Sequence, residues 1–592
     1  MKTGLFSDFF EFIKRGLKRS RVRVVIAGLI GVLIFLILFG TDSLSILDNR
    51  LFSRGDPGAH YIGWRFFRDS DWQLCPGLMN RIDYPYSVSV IFTDSLPLMA
   101  VIFKLLRGIL PVEFNYLGLW TAFSFFMQGA AGAMILGLYA GDGDIKNVDP
   151  GFSFSDLLVI IGSVFFILTP ACVIRAFWHT TLTSHFLILF SLYLFFGRER
   201  LSKRFSMPVR LLFWGILGFL CGSIHLYFLG ICGLIACAYA CDEWLRSDEG
   251  LFSFLAPLSF GISGLITIWL LGAFDSGMGS GAPGFGHYSF NLNSLFNGYG
   301  WSEIFNFPYY ELDQIEGFAY LGFGMIALIL LSGGMMLHRI MSPLVSSLRR
   351  QPLPERDASE MHSTCLTSAM VLFVVSIMIA VSCNVTIGDR LLLSFDLSGS
   401  GVIHRISDIF RSSGRFSWIA VYLLMTGGMA GVIGFVKKLD EKNESLSAGI
   451  MTALIFTLLI LQITDIFPGL SKRSAEVREA VEADSVLDDD YWDELAESGR
   501  FKHIVIMRKD DLTEDELYSL AFYAIDNGMT INNFNFARAV DLNIDEIASD
   551  SAAHPDDDEI FIFTELTQHE TIDYPELTYR IADGLLVGVK EE

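Results

Sequence analysis

The stretch that decides the fold is RGDPGAHYIGWRFFR, residues 54–68, which follows the first long apolar run, residues 24–40. It places a carboxylate, an imidazole and several arginines just beyond a segment long enough to cross a bilayer. A chain that only had to span lipid would not concentrate ionisable groups there, so the stretch indicates a functional site. The stretch therefore predicts a membrane protein that handles a charged molecule at this face.

The composition is that of a chain made largely of membrane-spanning helices. Hydrophobic residues make up 52% of the 592 residues, and the mean hydropathy is +0.46. A spanning helix needs about 20 mostly apolar residues. Eleven apolar runs, some short or interrupted, lie at 24–40, 118–139, 157–173, 182–196, 211–222, 226–240, 251–271, 322–337, 366–381, 416–436 and 448–463. We expect about eleven transmembrane helices.

Lys and Arg orient these helices. Basic clusters occur in residues 1–23 and after the runs that end at 196, 337 and 436. Because basic loops stay on the cytoplasmic side, the N-terminus is predicted to be cytoplasmic. Residues 87–107 would break the alternation if they formed a span, and they contain Asp94, Pro97 and Lys104. We therefore expect a helix on the outer surface there, within a large external loop at 42–113.

Acidic charge sets the C-terminal part of the chain apart. From residue 468 onward there are 10 Lys and Arg against 31 Asp and Glu, nearly the whole net charge of −22. An odd number of spans places this tail outside, and its charge excludes nucleic acid as a partner. The predicted organisation is a cytoplasmic basic N-terminus at 1–23, a transmembrane domain at 24–467 with external loops 42–113, 274–316 and 384–415, an acidic linker at 468–499, and an extracytoplasmic domain at 500–592.

The extracytoplasmic domain has an α/β pattern. Short β-rich runs lie at 501–507, 559–563 and 584–589. Thr513 followed by Glu516 predicts a capped helix over 513–526, closed by Asn527-Gly528. The fold class is therefore an α-helical polytopic protein of the plasma (inner) membrane with a small C-terminal α/β domain. We expect that domain to have a covering or docking role, or a purely structural one.

Asp56 is the foremost candidate for chemistry. An Asp before Pro commonly caps a turn. The alternative is a general base, because a partly dry cleft raises the pKa of a carboxylate. His60 shares a helix face with Asp56 and is a candidate to orient it or to contact a substrate. Asp94, in an apolar stretch, is either a surface cap or functional.

Further polar residues cluster in the predicted external loops. Arg175 cannot shed its charge, so it needs water, a carboxylate or a phosphate. Aromatic rings and carboxylates suit sugar recognition in loop 274–316, although an aromatic belt at the membrane interface explains many of the same rings. Arg411 and Arg415 lie four residues apart and form a candidate clamp for a phosphate. The other candidates are His179, His225, Tyr227, His287, Glu316 and Arg405.

The arrangement resembles the GT-C class of integral-membrane glycosyltransferases, which carry a carboxylate in the first external loop. Asp56 and the segment 87–107 occupy the places of that carboxylate and of the surface helices that follow it. The strings DPGAHYIGW (56–64), FTDSLP (92–97) and FRSSGR (410–415) are also similar to a bacterial multi-span family of unassigned function near this class. Through NGM (527–529) and AR (537–538), that likeness reaches into the tail.

The resemblance implies transfer of a sugar, with inversion, from a polyprenyl-phosphate carrier to a glycan, lipid or protein acceptor at the external face. Asp56 would be the base, aided by His60, and membrane lipid would surround the carrier. The carrier phosphate would be held by Arg405, Arg411 and Arg415. The sugar or acceptor pocket would be lined by Asp94, Arg175, His179, His225, Tyr227, His287 and Glu316. The first loop has no clear paired DxD motif, so no cofactor is certain and a divalent metal stays open.

Three other functions fit the hydropathy. A transporter or flippase of lipid-linked saccharides predicts ionisable residues near the midplane of several spans and an internal repeat, and the sequence has neither. A surface-polysaccharide polymerase or ligase would share the external arginines without needing a base in the first loop. A non-catalytic scaffold would leave Asp56, Arg411 and Arg415 free to vary. The sequence favours the glycosyltransferase.

Overall fold

The computed structural model describes residues 20–140, 153–246, 250–274, 284–348, 363–395, 401, 407–536, 544–564 and 574–591. It confirms the expected fold class: a mostly helical chain with long apolar helices is followed by a small domain with a sheet. Arg405, residues 1–19 of the basic N-terminus and residues 275–283 of the aromatic loop lie outside the described residues.

Helices account for most of the chain up to residue 478. They are α1 (Ser20–Phe39), α2 (Gly55–Asp69), α3 (Pro97–Leu105), α4 (Leu117–Ala140), α5 (Phe154–Ile167), α6 (Pro170–Val173), α7 (Phe186–Phe196), α8 (Arg198–Arg204), α9 (Met207–Ile224), α10 (Leu226–Arg246), α11 (Leu255–Leu270), α12 (Phe323–Leu348), α13 (Ser363–Val381), α14 (Ser417–Glu441) and α15 (Ser445–Arg478). Every apolar run found in the sequence coincides with a helix of this set.

A strict length criterion gives fewer membrane-spanning helices than the eleven predicted from the sequence. Among the described residues, six helices are long and apolar enough to cross a membrane, or seven if the bent pair of α7 and α8 is one span. Four shorter apolar helices, α5, α11, part of α12 and part of α13, account for the remaining runs. The protein is thus a multi-pass membrane protein, and the total of eleven spans stays a prediction.

Helix α1 shows how these helices pack. Its apolar side chains Leu29, Leu33 and Ile37 are exposed and repeat every four residues, as expected of a face turned to lipid. The opposite face packs on α4, where a Cβ on Gly31 would lie 2.1 Å from the carbonyl oxygen of Phe125. Only glycine lets the two backbones approach this closely, which is a common device of packed membrane helices.

The first loop differs from the single surface helix expected at 87–107. Strands β1 (Leu78–Met79) and β2 (Val88–Ser89) pair antiparallel, and a short 3-10 turn follows at Val90–Thr93. Asp94 and Leu96 then adopt left-handed backbone conformations, with φ of 50° and 55°. These two residues end the turn, and Pro97 starts the separate helix α3. Asp94 therefore lies in the irregular segment between the 3-10 turn and α3, and it does not lie inside an apolar helix.

The linker predicted to begin at residue 468 is partly helical. Helix α15 continues through Pro468 to Arg478, because the residues beyond the apolar run still pack on the first loop and α1. A second helix, α16 (Asp490–Glu497), forms within the predicted acidic linker. Asp489 caps α16 by accepting a hydrogen bond from the Tyr491 amide.

The C-terminal domain is built on a five-stranded mixed sheet of order β6-β5-β7-β9-β8. The strands are β5 (His503–Ile506), β6 (Thr530–Ile531), β7 (Glu559–Phe563), β8 (Leu577–Ala582) and β9 (Leu585–Lys590), and its further helices are α17 (Glu514–Asp526) and α18 (Ile544–Ala553). The three predicted strands are confirmed, and so is the capping box of Thr513 and Glu516 at the start of α17. Strands β6 and β8 and helix α18 were not predicted from the sequence.

The sheet of this domain is docked onto the first loop. Ile82 forms a parallel bridge with Ile531 of edge strand β6. The Tyr84 ring stacks on the His503 ring with centroids 3.9 Å apart. The first loop thereby covers the sheet edge, which would otherwise expose unpaired backbone groups. One further hairpin, β3 (Asn384–Ile387) with β4 (Arg390–Ser394), lies in the predicted loop 384–415.

Candidate active site

A cavity of about 1130 Å³ lies where the first loop, the helix ends of the membrane part and the C-terminal domain meet. A drug-sized ligand fills a pocket of about 300–1000 Å³, so this cavity is large enough for a ligand of that size. Its charged and polar lining residues include Asp56, His60, Asp94, Trp178, His179, His225, Tyr227, Arg411, Arg415, Arg473, Lys509, Asp510, Glu514, Tyr518 and Asn535.

Asp56 lies in the first turn of α2, where the helix dipole favours a negative charge. Its Oδ2 accepts a hydrogen bond of 2.8 Å from Trp178 Nε1, and His179 Nε2 lies 3.5 Å from the same oxygen. The side chain is 50% exposed and opens into the cavity. Partial burial raises the pKa of the Asp56 carboxyl, the Trp178 hydrogen bond opposes this, and the nearby charge of Asp94 adds to it. Asp56 is thus a carboxylate of increased basicity.

Imidazoles surround this carboxylate. Burial holds the pKa of His179 well below its ordinary value and also lowers that of His60, so both rings are neutral near pH 7. Their ring centroids lie 6.2 Å apart. Among the described residues, no hydrogen bond joins His60 to Asp56. Trp178 and His179 make the contacts that orient Asp56, which was one of the two roles considered for His60.

Asp94 forms a second carboxylate–imidazole pair in the cavity. Its Oδ1 lies 3.5 Å from His225 Nε2, and burial holds the pKa of His225 well below its ordinary value. The left-handed backbone conformation of Asp94 directs its side chain into the cavity. Ser95, the next residue, donates a hydrogen bond of 2.7 Å to the carbonyl oxygen of His60, which holds this segment against α2.

A buried ion triad stands behind the cavity wall. Glu316 accepts from Arg175 Nη1 at 2.9 Å and from Arg415 Nε at 2.7 Å. Arg175 is fully buried, and Glu316 is 6% exposed. Burial alone would raise the pKa of Glu316, but the two guanidinium groups outweigh it and hold that pKa well below the usual range. The triad therefore carries a net positive charge, and it reaches the cavity through Arg415.

Arg411 and Arg415 are not equivalent. Arg415 is held by Glu316 and lies over the Tyr227 ring, 4.3 Å from its centroid. Arg411 lines the cavity with no carboxylate at ion-pair distance among the described residues, and its guanidinium lies 5.4 Å from the Tyr288 ring centroid. Tyr227 also accepts a hydrogen bond of 2.7 Å from the Ser412 amide, which positions the segment between the two arginines.

The structure brings together most of the predicted site residues. Asp56, His60, Asp94, His179, His225, Tyr227, Arg411 and Arg415 line the cavity. Arg175 and Glu316 lie behind its wall, where they hold Arg415. His287 is not among the lining residues: it is exposed and bonded to Glu311. Its sequence neighbours suggested a sugar pocket, but the His287 side chain lies outside the lining of this cavity.

Other lining residues were missed in the sequence. Trp178 lies next to His179 in the chain, yet nothing in the local sequence indicated that its indole would reach Asp56. Arg473 had been placed in the linker, and its guanidinium donates to the carbonyl oxygen of Ala176 in the cavity wall. Lys509 and Tyr518 come from the C-terminal domain, whose contact with the cavity no local pattern predicts.

Carboxylates and imidazoles line the cavity as two pairs, Asp56 with His179 and Asp94 with His225. Within the described ranges, no three His, Cys, Asp or Glu side chains lie close enough together to hold a metal ion. The chemistry that these residues support is acid–base and electrostatic.

Residues 28–467 match a family described as a domain of unknown function, DUF6311, and residues 491–590 match the C-terminal domain of the same family. The chain belongs to the DUF6311 family. As the motifs of the sequence implied, the family likeness covers both the membrane part and the tail. No curated protein matches the sequence.

Solved structures similar to this DUF6311 protein include ArnT from Cupriavidus metallidurans bound to undecaprenyl phosphate, at 10% identity and a TM-score of 0.40, covering 95% of this chain and 97% of that one. The apo state of ArnT has the same identity and coverage with a TM-score of 0.41. An oligosaccharyltransferase of Archaeoglobus fulgidus tethered with an acceptor peptide has 10% identity and a TM-score of 0.43, covering 97% of this chain and 74% of that one.

Proposed function

We propose that this protein is a membrane glycosyltransferase that moves a sugar from a polyprenyl-phosphate donor to a hydroxyl of a cell-surface glycan, lipid or protein. The observation that carries the proposal is the single cavity in which the Asp56 carboxylate shares its walls with Arg411 and Arg415. A base and an anion-binding pole in one cavity are what transfer from a phosphate leaving group requires.

The reaction is a single displacement. Asp56 takes the proton of the acceptor hydroxyl, and the acceptor oxygen attacks the anomeric carbon of the donor sugar. The bond from that carbon to the carrier phosphate breaks, and the phosphate leaves with the bonding electron pair. Attack from the side opposite to the leaving group inverts the anomeric centre. The raised pKa of Asp56 increases its strength as a base.

The arginines stabilise the departing phosphate. Arg411, which has no carboxylate partner among the described residues, provides the direct contact. Arg415 contributes the net positive charge of the Glu316 triad while its own position is fixed by that triad. Preorganised charge of this kind lowers the barrier, because it does not have to reorganise as the bond breaks. We place the cavity and the C-terminal domain on the external face, with the N-terminus in the cytoplasm.

The test is sugar transfer in liposomes that contain the purified protein, a panel of radiolabelled polyprenyl-phosphate sugars and cell-envelope acceptors. The proposal expects consumption of one donor and a labelled product of inverted anomeric configuration. Intact donor that crosses the bilayer without being consumed would overturn the proposal and indicate a flippase. Products lengthened by whole oligosaccharide blocks would indicate a polymerase or ligase.

A further inference from the structure

The C-terminal domain touches the helix that carries Asp56 through a regular series of contacts. Successive turns of α17 present Glu514, Tyr518, Phe522 and Asp526, each four residues from the last. They meet successive turns of α2 at Gly55, Gly58, Tyr61 and Arg65. Residues spaced in this way share one helix face, so α17 lies along α2 over its whole length.

The contacts at the start of this series hold the residue before Asp56. The Gly55 amide donates a hydrogen bond of 2.9 Å to Glu514 Oε1, and the Tyr518 hydroxyl donates one of 2.8 Å to the Gly55 carbonyl oxygen. Gly55 has a φ of +60°, a conformation that glycine adopts without strain. Both backbone groups of this flexible residue are thus fixed by side chains of the C-terminal domain.

The packing beside these bonds is equally close. A Cβ on Gly58 would lie 2.7 Å from Cε1 of Tyr518, so the tyrosine ring lies directly against the backbone of α2. Glu514 and Tyr518 also line the cavity beside Asp56. The same two side chains therefore hold the base-bearing turn and close the cavity above it.

We propose that Glu514 and Tyr518 are positioning residues for Asp56. The C-terminal domain thereby forms part of the transferase site. This inference rests on the proposed function of Asp56 as the base. Fixing Gly55 sets the direction in which α2 starts, and hence where the Asp56 carboxylate meets the acceptor hydroxyl. A misplacement of about 1 Å at such a group can slow a reaction about 100-fold.

The test compares variants at the two ends of the α2–α17 contact. The double variant Glu514→Ala with Tyr518→Phe removes both bonds to Gly55 while the ring on Gly58 remains. We expect kcat to fall about 10- to 100-fold with an unchanged KM for the donor. The single variant Glu514→Gln keeps an oxygen that can accept from the Gly55 amide, and it should retain most of the wild-type rate. Asp526→Asn, the matched control at the far end, should stay within about two-fold of the wild type.

Hydrogen–deuterium exchange of the peptide containing Gly55 reads the bonds without any transfer assay. The double variant should speed exchange at Gly55, and Asp526→Asn should not. Either of two results would overturn this inference alone. One is faster exchange at Gly55 in the double variant with an unchanged kcat. The other is equal exchange at Gly55 in the double variant and in a wild type that transfers sugar. A wild type that transfers no sugar would overturn the proposed function, and the positioning role with it, even if exchange at Gly55 responds as expected.

Discussion

The cavity has two sides that treat a carboxylate in opposite ways. Glu316, behind the wall, is almost fully buried and bonded to two guanidinium groups. Asp56, on the other side, is half exposed and receives one hydrogen bond from a neutral indole. The pKa of Glu316 is held well below the usual range by Arg175 and Arg415 against the effect of burial, whereas burial raises the pKa of Asp56.

This difference separates two uses of charge. A carboxylate with both oxygens bonded to buried arginines cannot accept a proton readily, so Glu316 serves the fold and the placement of Arg415. A partly desolvated carboxylate without a cationic partner accepts a proton more readily, so Asp56 suits chemistry. The arginines divide in the same way, because Arg415 is paired with Glu316, whereas Arg411 has no carboxylate at ion-pair distance in the part of the chain that the structure describes. Each prediction below breaks or sharpens this contrast.

The largest effect on stability is expected at Glu316. The substitution Glu316→Gln leaves Arg175 and Arg415 buried without their anion, which costs about 3–5 kcal/mol. The thermal unfolding midpoint of the purified protein in detergent measures this loss. Asp56→Asn is the control and should change stability by no more than about 0.5 kcal/mol. Equal stability of the two variants would remove the distinction between the two sides.

Asp83 extends the contrast to a third carboxylate, at the contact between the first loop and the C-terminal sheet. It is fully buried, and neither carboxylate oxygen has a hydrogen-bond partner among the described residues. Burial raises the pKa of Asp83 to about 7. Because this pKa lies above that of the unfolded chain, the folded state holds the proton more tightly. Stability should therefore fall as the pH rises from about 4 to 7.

The size of this pH effect is up to about 4 kcal/mol, given the difference between a pKa of about 7 and the ordinary value of 3.8. Unfolding of the wild type and of Asp83→Asn across this pH range measures it. The Asn variant should lose this part of the pH dependence and be the more stable protein at neutral pH. An unchanged pH profile would show that Asp83 is solvated or paired in solution.

A smaller effect, without loss of stability, is expected at Arg411. Losing one charged hydrogen-bonding group to the donor phosphate costs about 1.5–3 kcal/mol, or roughly 10- to 150-fold in the kcat/KM of Arg411→Ala for the donor. Arg411→Lys should lie between this variant and the wild type, because lysine keeps the charge but loses the planar fork. The unfolding midpoint should not change. A loss of stability like that of Glu316→Gln would mean that both arginines serve the fold.

Local features of the fold followed from the sequence. The apolar runs predicted the helices, the Thr513 and Glu516 spacing predicted the start of α17, and the spacing of Asp56 and His60 predicted that both face one side of a helix. These features depend on contacts between residues close in the chain. The left-handed conformation that interrupts the helical segment at Asp94 was not predicted, because the surrounding residues are apolar enough to continue a helix.

The assembly of the site did not follow from the sequence in the same way. Trp178 bonds Asp56 across 122 residues, and Glu514 bonds Gly55 across 459. The first contact depends on how the membrane part packs against the first loop, and the second depends on how the C-terminal domain docks there. No local pattern carries that information. The difference between Arg411 and Arg415 likewise depends on Glu316, which lies far from both in the chain.

The most direct test of the account is the transfer rate of Asp56→Asn in protein whose unfolding midpoint equals that of the wild type. Asn keeps the size of the side chain and an oxygen that can accept from Trp178, but it cannot take a proton from the acceptor. The account predicts a loss of about 100- to 10,000-fold in kcat, the usual contribution of a general base. A rate within a factor of about two of the wild type would contradict it.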